Sequence, residues 1–522
     1  MKHPVYWFLI SSGLIASTSL SFAQADNQTL SSNDSFNGNT AGNNTFQTKE
    51  TTSVNGTNYT CTGDVCIANA NTQSKSCFSQ TAGNLAFIGN GHSLCFENID
   101  AGASNPGSIN VGGSDKTLSV TGFSKFICSS CPPETTGQGA IKSSGTTTFN
   151  NDITILLQKN CSKEDGGAIN CKGFTLTGTS VRADFIENKS LKNGGALEAS
   201  GASTIENNSG NISFTGNTSA KHGGAIHSNS AITVSNNSKV IFSNNTTTGV
   251  SDSSGGAIYC KNGSGSTPEL KLEGNSSLIF LENKSKVSGG AIYADKLTIN
   301  SGGTTIFANN SVTNATPKGG AICIGDTNGE CSLTANLGDI IFNGNTLFTS
   351  GGSSITSKRN AINLGTNGKF TKLSAKDGFV IYFYDPITSE GSQSQMLTIN
   401  QTENTTNYTG KILFSGEMLS TEEKIKTENL TSIFKQPLTL NSGFLLLKEG
   451  VILEAKSFAQ TEGSSVIMDI GTVLQTPNSG GETITLPNLS INIASLGGGG
   501  SPLLQLLKLN HKQLIKLLTS LL

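Results

Sequence analysis

The chain has 522 residues, of which 61 are Gly and only one is Trp; 13% are charged and the formal net charge is −2. With a pI near 6.2 there is no excess of basic residues to neutralise phosphates, which argues against nucleic acid as a partner.

Residues 1–25 read as a secretory signal: Lys2 and His3 precede an apolar run from Val5 to Ile15, and Ala23-Gln24-Ala25 is a small-x-small cleavage site. The run is too short and too rich in Ser to anchor in a bilayer. The mature chain therefore begins near Asp26 outside the cytoplasm, and residues 26–60, dominated by Asn, Ser and Thr, are expected to be poorly ordered. From residue 61 to about 137, half-formed phrases such as Phe87/Asn90, Leu94-Cys95-Phe96 and Leu118 to Phe126 suggest the irregular start and cap of a repeat array.

Eight of the eleven cysteines (61, 66, 77, 95, 128, 131, 161, 171, 260, 323 and 331) precede residue 172. In an exported protein this is a disulfide pattern without a deducible connectivity, and the odd count leaves one thiol free or available to a neighbouring protein. Cys128-Ser-Ser-Cys131 lacks the βαβ context of a redox dithiol and the second ligand pair of a metal site.

From 138 onward one phrase recurs: QGAI at 138–141, GGAI at 166–169, GGAL at 194–197, and GGAI at 223–226, 255–258, 289–292 and 319–322, with a decayed GGSS at 351–354. Counted from Ala140 to Ser353 the steps are 28, 28, 29, 32, 34, 30 and 32 residues, which marks a solenoid. A Phe-x-x-Asn phrase precedes most copies (Phe185/Asn188, Phe214/Asn217, Phe242/Asn245, Phe280/Asn283, Phe307/Asn310, Phe342/Asn345), with Leu157/Asn160 in the same slot. Further upstream stands an apolar residue, Leu176, Ile205, Val234, Leu272, Ile299 or Leu333, four of them followed three later by Asn208, Asn237, Asn275 or Asn336. Three short strands per coil are expected.

Alternation assigns the faces. Ile169, Leu197, Ile226, Ile258, Ile292 and Ile322 form a uniform apolar column, whereas the next position reads Asn170, Glu198, His227, Tyr259, Tyr293 and Cys323. Since successive strand residues point to opposite faces, the first column is interior and the second is outside. A single coil cannot bury its interior column alone, so coils must stack, and the fold expected over 61–359 is a parallel β-helix, right-handed by the usual rule for parallel connections. Gly and Asn supply the turns, and the Asn amides of successive coils can pair with one another.

Residues 360–496 lose the period but keep apolar runs, for example Phe379 to Tyr384, Lys411 to Phe414 and Gly443 to Leu447. Such runs suggest strands covered on both faces, here a second β-rich unit closing the solenoid. Thr421 to Ile433 is a modest helix candidate or a charged loop.

No residue is assigned a catalytic, cofactor-binding or metal-binding role, and no cofactor is implied. His222 and His227 flank a Gly-Gly turn but read as an exposed, accidental pair. Glu164 and Asp165 precede Gly166 as a carboxylate-based glycosidase or lyase would need, but the next coils place Lys192/Asn193, Lys221/His222 and Ser253/Ser254 there, so no acidic column forms. The many Asn-x-Ser/Thr sequons follow from composition.

Repeated GGAI and Phe-x-x-Asn in an exported chain, followed by LSAKDGFVIYFYDPI at 373–387, resembles the chlamydial polymorphic outer membrane proteins over essentially 1–496. The resemblance implies an autotransporter-like layout, with a β-helical passenger displayed on the cell surface, a middle domain and a C-terminal barrel in the outer membrane. It also implies a role as adhesin and antigen, with a host-cell receptor as partner. From Gly497-Gly-Gly-Gly500 onward the sequence departs from that pattern, turning Leu-rich over 501–522 with no barrel-like strands. A glycine run can be encoded by slippage-prone guanines, so this tail is expected to be out of frame and the chain a form truncated before its barrel. The other reading is an amphipathic tail with Lys508, Lys512 and Lys516 on one face. Two further functions stay open: a β-helical polysaccharide-cleaving enzyme, and an envelope protein cross-linked through its N-terminal cysteines.

Overall fold

The computed structural model describes residues 25–38, 45–102, 104–131, 137–263, 266–325, 328–351, 354–403, 406–477 and 483–492. The expected leader up to residue 24 and the Leu-rich tail lie outside them. Nearly every described element is a short strand, and almost all pair in parallel with the strand one coil away, so the fold is a parallel β-helix.

One coil shows how the sequence winds. Ile169–Thr177 lies in the longest sheet, Arg182–Ile186 in a second and Lys189–Ser190 in a third; Leu197–Ala199 and Ser203–Glu206 then return to the first. Two of the three strands expected per coil therefore share one face. The third face is a two-residue strand directly after the Phe-x-x-Asn, too short to show as an alternating pattern.

The interior columns are as the alternation demands. Ile169, Leu197, Ile226, Ile258, Ile292 and Ile322 are in register and fully buried. So is the second column, Leu176, Ile205, Val234, Leu272, Ile299 and Leu333. In the second sheet Phe185, Phe214, Phe242, Phe280, Phe307 and Phe342 stack face to face with centroids 4.4–5.0 Å apart and planes within 9°. That spacing matches the rise between paired strands, so the coil repeat itself imposes an offset ring stack.

The two glycines of each GGAI have different jobs. The first takes a left-handed turn, for example φ +62° at Gly223 and +70° at Gly255. The second passes under the next coil so closely that a Cβ on Gly256 would lie 2.0 Å from the Gly290 carbonyl oxygen.

Asn160, Asn188, Asn217, Asn245, Asn283, Asn310 and Asn345 form one buried ladder. Each Nδ2 from Asn160 to Asn310 donates to the Oδ1 of the next at 2.9 or 3.0 Å. It also donates to a carbonyl of the preceding coil, Phe214 O at 2.8 Å for Asn245. The residue just before the ladder Asn takes the positive φ, Glu187 at 52° and Glu282 at 57°, and not the Asn itself. A second ladder joins Asn208, Asn237 and Asn275. Asn336 is outside it, offering only its backbone N–H to Ser301 Oγ at 3.0 Å.

Three expectations need amending. Residues 26–60 are not bare: Asp26–Leu30 and Thr57–Cys61 pair as the first rungs. Of the GGSS phrase, Gly351 and Ser354 pair with each other in an antiparallel hairpin of Thr346–Gly351 with Ser354–Arg359, and not with a neighbouring coil. The corner passes instead to Asn360-Ala361-Ile362, with Ile322 paired to Ile362 and Ile362 to Ile387. Beyond 360 the same sheets continue: Phe342, Phe383 and Phe414 extend the ring stack, and parallel pairing runs on to Asn492. The region is β-rich as expected, but as further coils. Only Thr421–Ile425 of the helix candidate is α-helical, closed by a capping box in which Ser420 Oγ accepts from Glu423 N–H.

Candidate functional site

A filled solenoid offers its chemistry on the outside, along its outward columns. In the second sheet the position between the two inward residues reads Ile241, Ile279, Ile306, Ile341, Tyr382, Leu413, Leu446 and Ile467, paired in continuous register. Leu413 is buried and the others are half-buried. Val380 and Tyr384 flank the column, and Phe444 beside it is 37% exposed. The outer face of an exposed sheet is ordinarily polar, so this apolar stripe is unusual and makes the face a candidate contact surface. The runs in 360–496 did show both faces apolar. What they could not show is that the outer face lines up with Ile241 to Ile341 of the repeats.

A second outward column carries the histidines. Glu198, His227, Tyr259 and Tyr293 are in register, and the rings of His227 and Tyr259 and of Tyr259 and Tyr293 stack at 5.1 Å. His222 stacks on Tyr259 at 4.1 Å, and His227 Nδ1 lies 2.6 Å from Glu198 Oε2. The two histidines are thus not an exposed pair, since His227 is only 4% accessible and the His222 side chain 15%. Burial pushes the Glu198 carboxyl up and holds the His222 imidazole down at about 4. His227 is engaged through Nδ1 by Glu198, and His222 Nε2 lies 3.4 Å from Asp252 Oδ1.

The remaining carboxylate pair is also engaged. Glu164 meets Lys192, whose hydrogen bond lowers its pKa, and Asp165 Oδ1 accepts from Asn193 N–H at 3.0 Å. An open cleft of about 330 Å³ crosses the first sheet, lined by Thr298, Asn300, Lys372, Lys376 and Tyr408 among others.

All eleven cysteines are thiols in the structure, so the expected disulfides are not seen in it. Cys128 and Cys131 turn out to stand in the slots of the Phe-x-x-Asn: Cys128 pairs with Leu157, and Cys131 N–H donates to Asn160 Oδ1 at 2.9 Å. Both are fully buried, and burial pushes the Cys131 thiol up to about 12, the opposite of an exchange-active thiol. Cys66 and Cys95, by contrast, point outward in register, with Cys95 Sγ donating to Glu97 Oε1 at 3.2 Å. Their separation of one coil was the available signal, hidden because residues 61–137 carry no GGAI to count from.

Among the described residues no helix is long and apolar enough to cross a membrane, a statement that leaves β-barrels untouched. No solved structure matches the chain. The Chlamydia polymorphic membrane protein repeat matches at residues 211–229, 239–261 and 277–295, each match running through one Phe-x-x-Asn and one GGAI. The chain is 45% identical over 514 residues to the probable outer membrane protein pmp8 of Chlamydia pneumoniae, covering 96% of this chain and 54% of that protein. It is 45% identical over 504 residues to pmp11 (95% and 52%) and 41% identical over 518 residues to pmp10 (96% and 54%), both from the same organism and both named probable outer membrane proteins. It thus spans about half the length of these relatives. Coil architecture, repeat phrases and sequence identity agree that the chain belongs to the chlamydial polymorphic outer membrane protein family.

Proposed function

We propose that this chain is the surface-displayed passenger of an autotransporter-like outer membrane protein and that it attaches the bacterium to host cells without catalysing a reaction. The observation that carries the reading is the apolar stripe from Ile241 to Ile467. A rod whose interior is filled and whose side carries a straight row of aliphatic groups is suited to lie along another macromolecule. A host-cell surface protein is the partner this reading names. At a strand spacing of ~4.8 Å, eight in-register positions extend over roughly 34 Å, which gives the length of an ordinary interface, its width coming from the flanking outward positions.

The experiment is attachment of beads coated with the full chain to cultured host cells, comparing the native protein with the triple variant Ile279→Lys, Ile306→Lys, Ile341→Lys. These side chains point outward, so the circular dichroism spectrum and melting temperature should change little while attachment falls at least tenfold. Undiminished attachment by the folded variant would overturn the assignment to the stripe. Self-association of the native protein at micromolar concentration, abolished by the same substitutions, would identify a second copy of the chain as the occupant instead. Cross-linking to envelope proteins through a cysteine is a compatible proposal, and would appear as reductant-dependent release of the chain from envelope fractions.

A further inference from the structure

The outward column that carries the stripe begins differently. Its first members in the N-terminal coils are Cys66 and Cys95, directly paired across Val65–Ala68 and Ser93–Glu97. Glu97 lies two residues beyond Cys95 on the same outward face. The thiol sulfurs of Cys66 and Cys95 and a carboxylate oxygen of Glu97 all lie within 4.8 Å of one another. Cys66 is held from the other side, its backbone N–H donating to Ser35 Oγ at 3.0 Å. Both cysteines are partly accessible, unlike the fully buried Cys77, Cys128 and Cys131.

Two chemistries compete for such a pair, and the strand geometry separates them. Directly paired residues on parallel strands are related by a translation of ~4.8 Å, so their Cβ atoms sit about that far apart and point the same way. A disulfide wants its Cβ atoms about 3.8 Å apart and strains beyond roughly 4.5 Å. A tetrahedral zinc ion with Zn–S bonds of ~2.3 Å instead holds two sulfurs about 3.8 Å apart, while leaving the Cβ separation free to match the sheet. The carboxylate supplies a third donor at the right side of the pair, and the outward position leaves a fourth place for water or a donor from another molecule.

We propose that Cys66, Cys95 and Glu97 form a surface site for a thiophilic divalent cation, zinc being the best fit. Loading deprotonates both thiols and releases two protons, so binding strengthens as pH rises through the thiol range. The site joins two successive coils in the part of the solenoid that lacks the GGAI corner. This proposal is independent of host attachment and stands or falls separately from it.

The test uses the full chain, reduced and kept free of oxygen. Titration with Co²⁺ should give sulfur-to-metal charge-transfer absorption in the near ultraviolet that saturates at one ion per chain and is displaced by Zn²⁺. Cys66→Ser and Cys95→Ser should each abolish it, and Glu97→Gln should weaken binding at least tenfold, all with unchanged circular dichroism. A signal that survives in both serine variants would overturn the assignment. So would native protein, thiol-blocked at lysis, in which Cys66 and Cys95 are found joined to each other in most molecules.

Discussion

The coils before residue 160 and those from 185 to 414 are built on the same parallel sheets, yet they fill their interiors in opposite ways. In the later coils a Phe occupies the same slot every turn, and the rings form a face-to-face stack from Phe185 to Phe414 with spacings of 4.4–5.2 Å. In the earlier coils that slot holds Ile67, Phe96, Cys128 and Leu157 in turn, so no column can form. Aromatic residues from different sheets meet edge-on across the interior instead, Phe78 against Phe96 at 86° and Phe126 against Phe149 at 68°. Strict repetition gives cohesion along the rod; degenerate repetition gives a knot of side chains across it. The later coils should behave as a chain of equal links, and the earlier coils as an ordinary small core.

The sharpest way to break this contrast is at the corner where coils touch. Gly256→Ala puts a methyl group 2.0 Å from a carbonyl oxygen of the next coil, and the loss should exceed about 5 kcal/mol. Gly463→Ala, where a Cβ meets no atom within 4 Å, should change stability by less than about 0.5 kcal/mol in the same denaturation assay. Next in size, Phe280→Ala should cost about 3–5 kcal/mol, because the rings above and below are held at fixed height by the strands. Phe87→Ala should fall at the low end of that range, since Tyr59 and Phe78 approach from other directions and can close on the gap.

A third test concerns Asp152, which takes the ladder-corner position in an early coil. Its Oδ1 accepts from Phe123 N–H at 2.8 Å, its Oδ2 is buried without a hydrogen bond, and burial pushes its pKa from 3.8 up to about 7. The folded protein therefore holds this proton more tightly than the unfolded chain. Its contribution to stability is fully present below about pH 4 and is lost as pH rises through 7. Over that interval stability should fall by at most roughly 3–4 kcal/mol, and Asp152→Asn should flatten the profile measured by urea unfolding at successive pH values. An unchanged profile would mean the carboxyl is ionised in the native state. The smallest contrast is between Asn336→Ala, about 0.5 kcal/mol, and Asn237→Ala, about 2 kcal/mol or more, the Asn237 side chain donating to both Asn275 Oδ1 and Ile205 O.

Much of this architecture was legible in the sequence wherever one slot carries one residue type. The GGAI spacing located the corners, alternation assigned Ile226 and Ile258 to the interior, and recurrent Asn implied the ladder. The third face escaped because a two-residue strand such as Thr218–Ser219 is shorter than any period. Residues 360–492 read as a separate unit because Asn360-Ala361 and Asp385-Pro386 replace the Gly-Gly-Ala phrase while keeping the coil path. Both candidate surfaces were hidden for a related reason. The apolar stripe and the Cys66–Cys95 pair are relations between coils whose lengths vary, so neither exists as a local motif.

The ladder from Asn160 to Asn345 has a direction, since from side chain to side chain every amide donates toward the following coil, and it ends on a carboxylate. Asp385 Oδ2 accepts from Asn345 Nδ2 at 2.8 Å and from its N–H at 2.9 Å, while the Arg359 Nε lies 3.1 Å from Oδ1 as an ion pair without hydrogen-bond alignment. An acceptor-only side chain is what terminates a one-way row of donors, and it is needed once, whatever the number of rungs above it. Gain or loss of a whole turn leaves every amide with the same neighbours, whereas gain or loss of part of a turn orphans two. Length change in such a rod is therefore quantised, and a gene encoding it can vary by entire turns without redesign of either end.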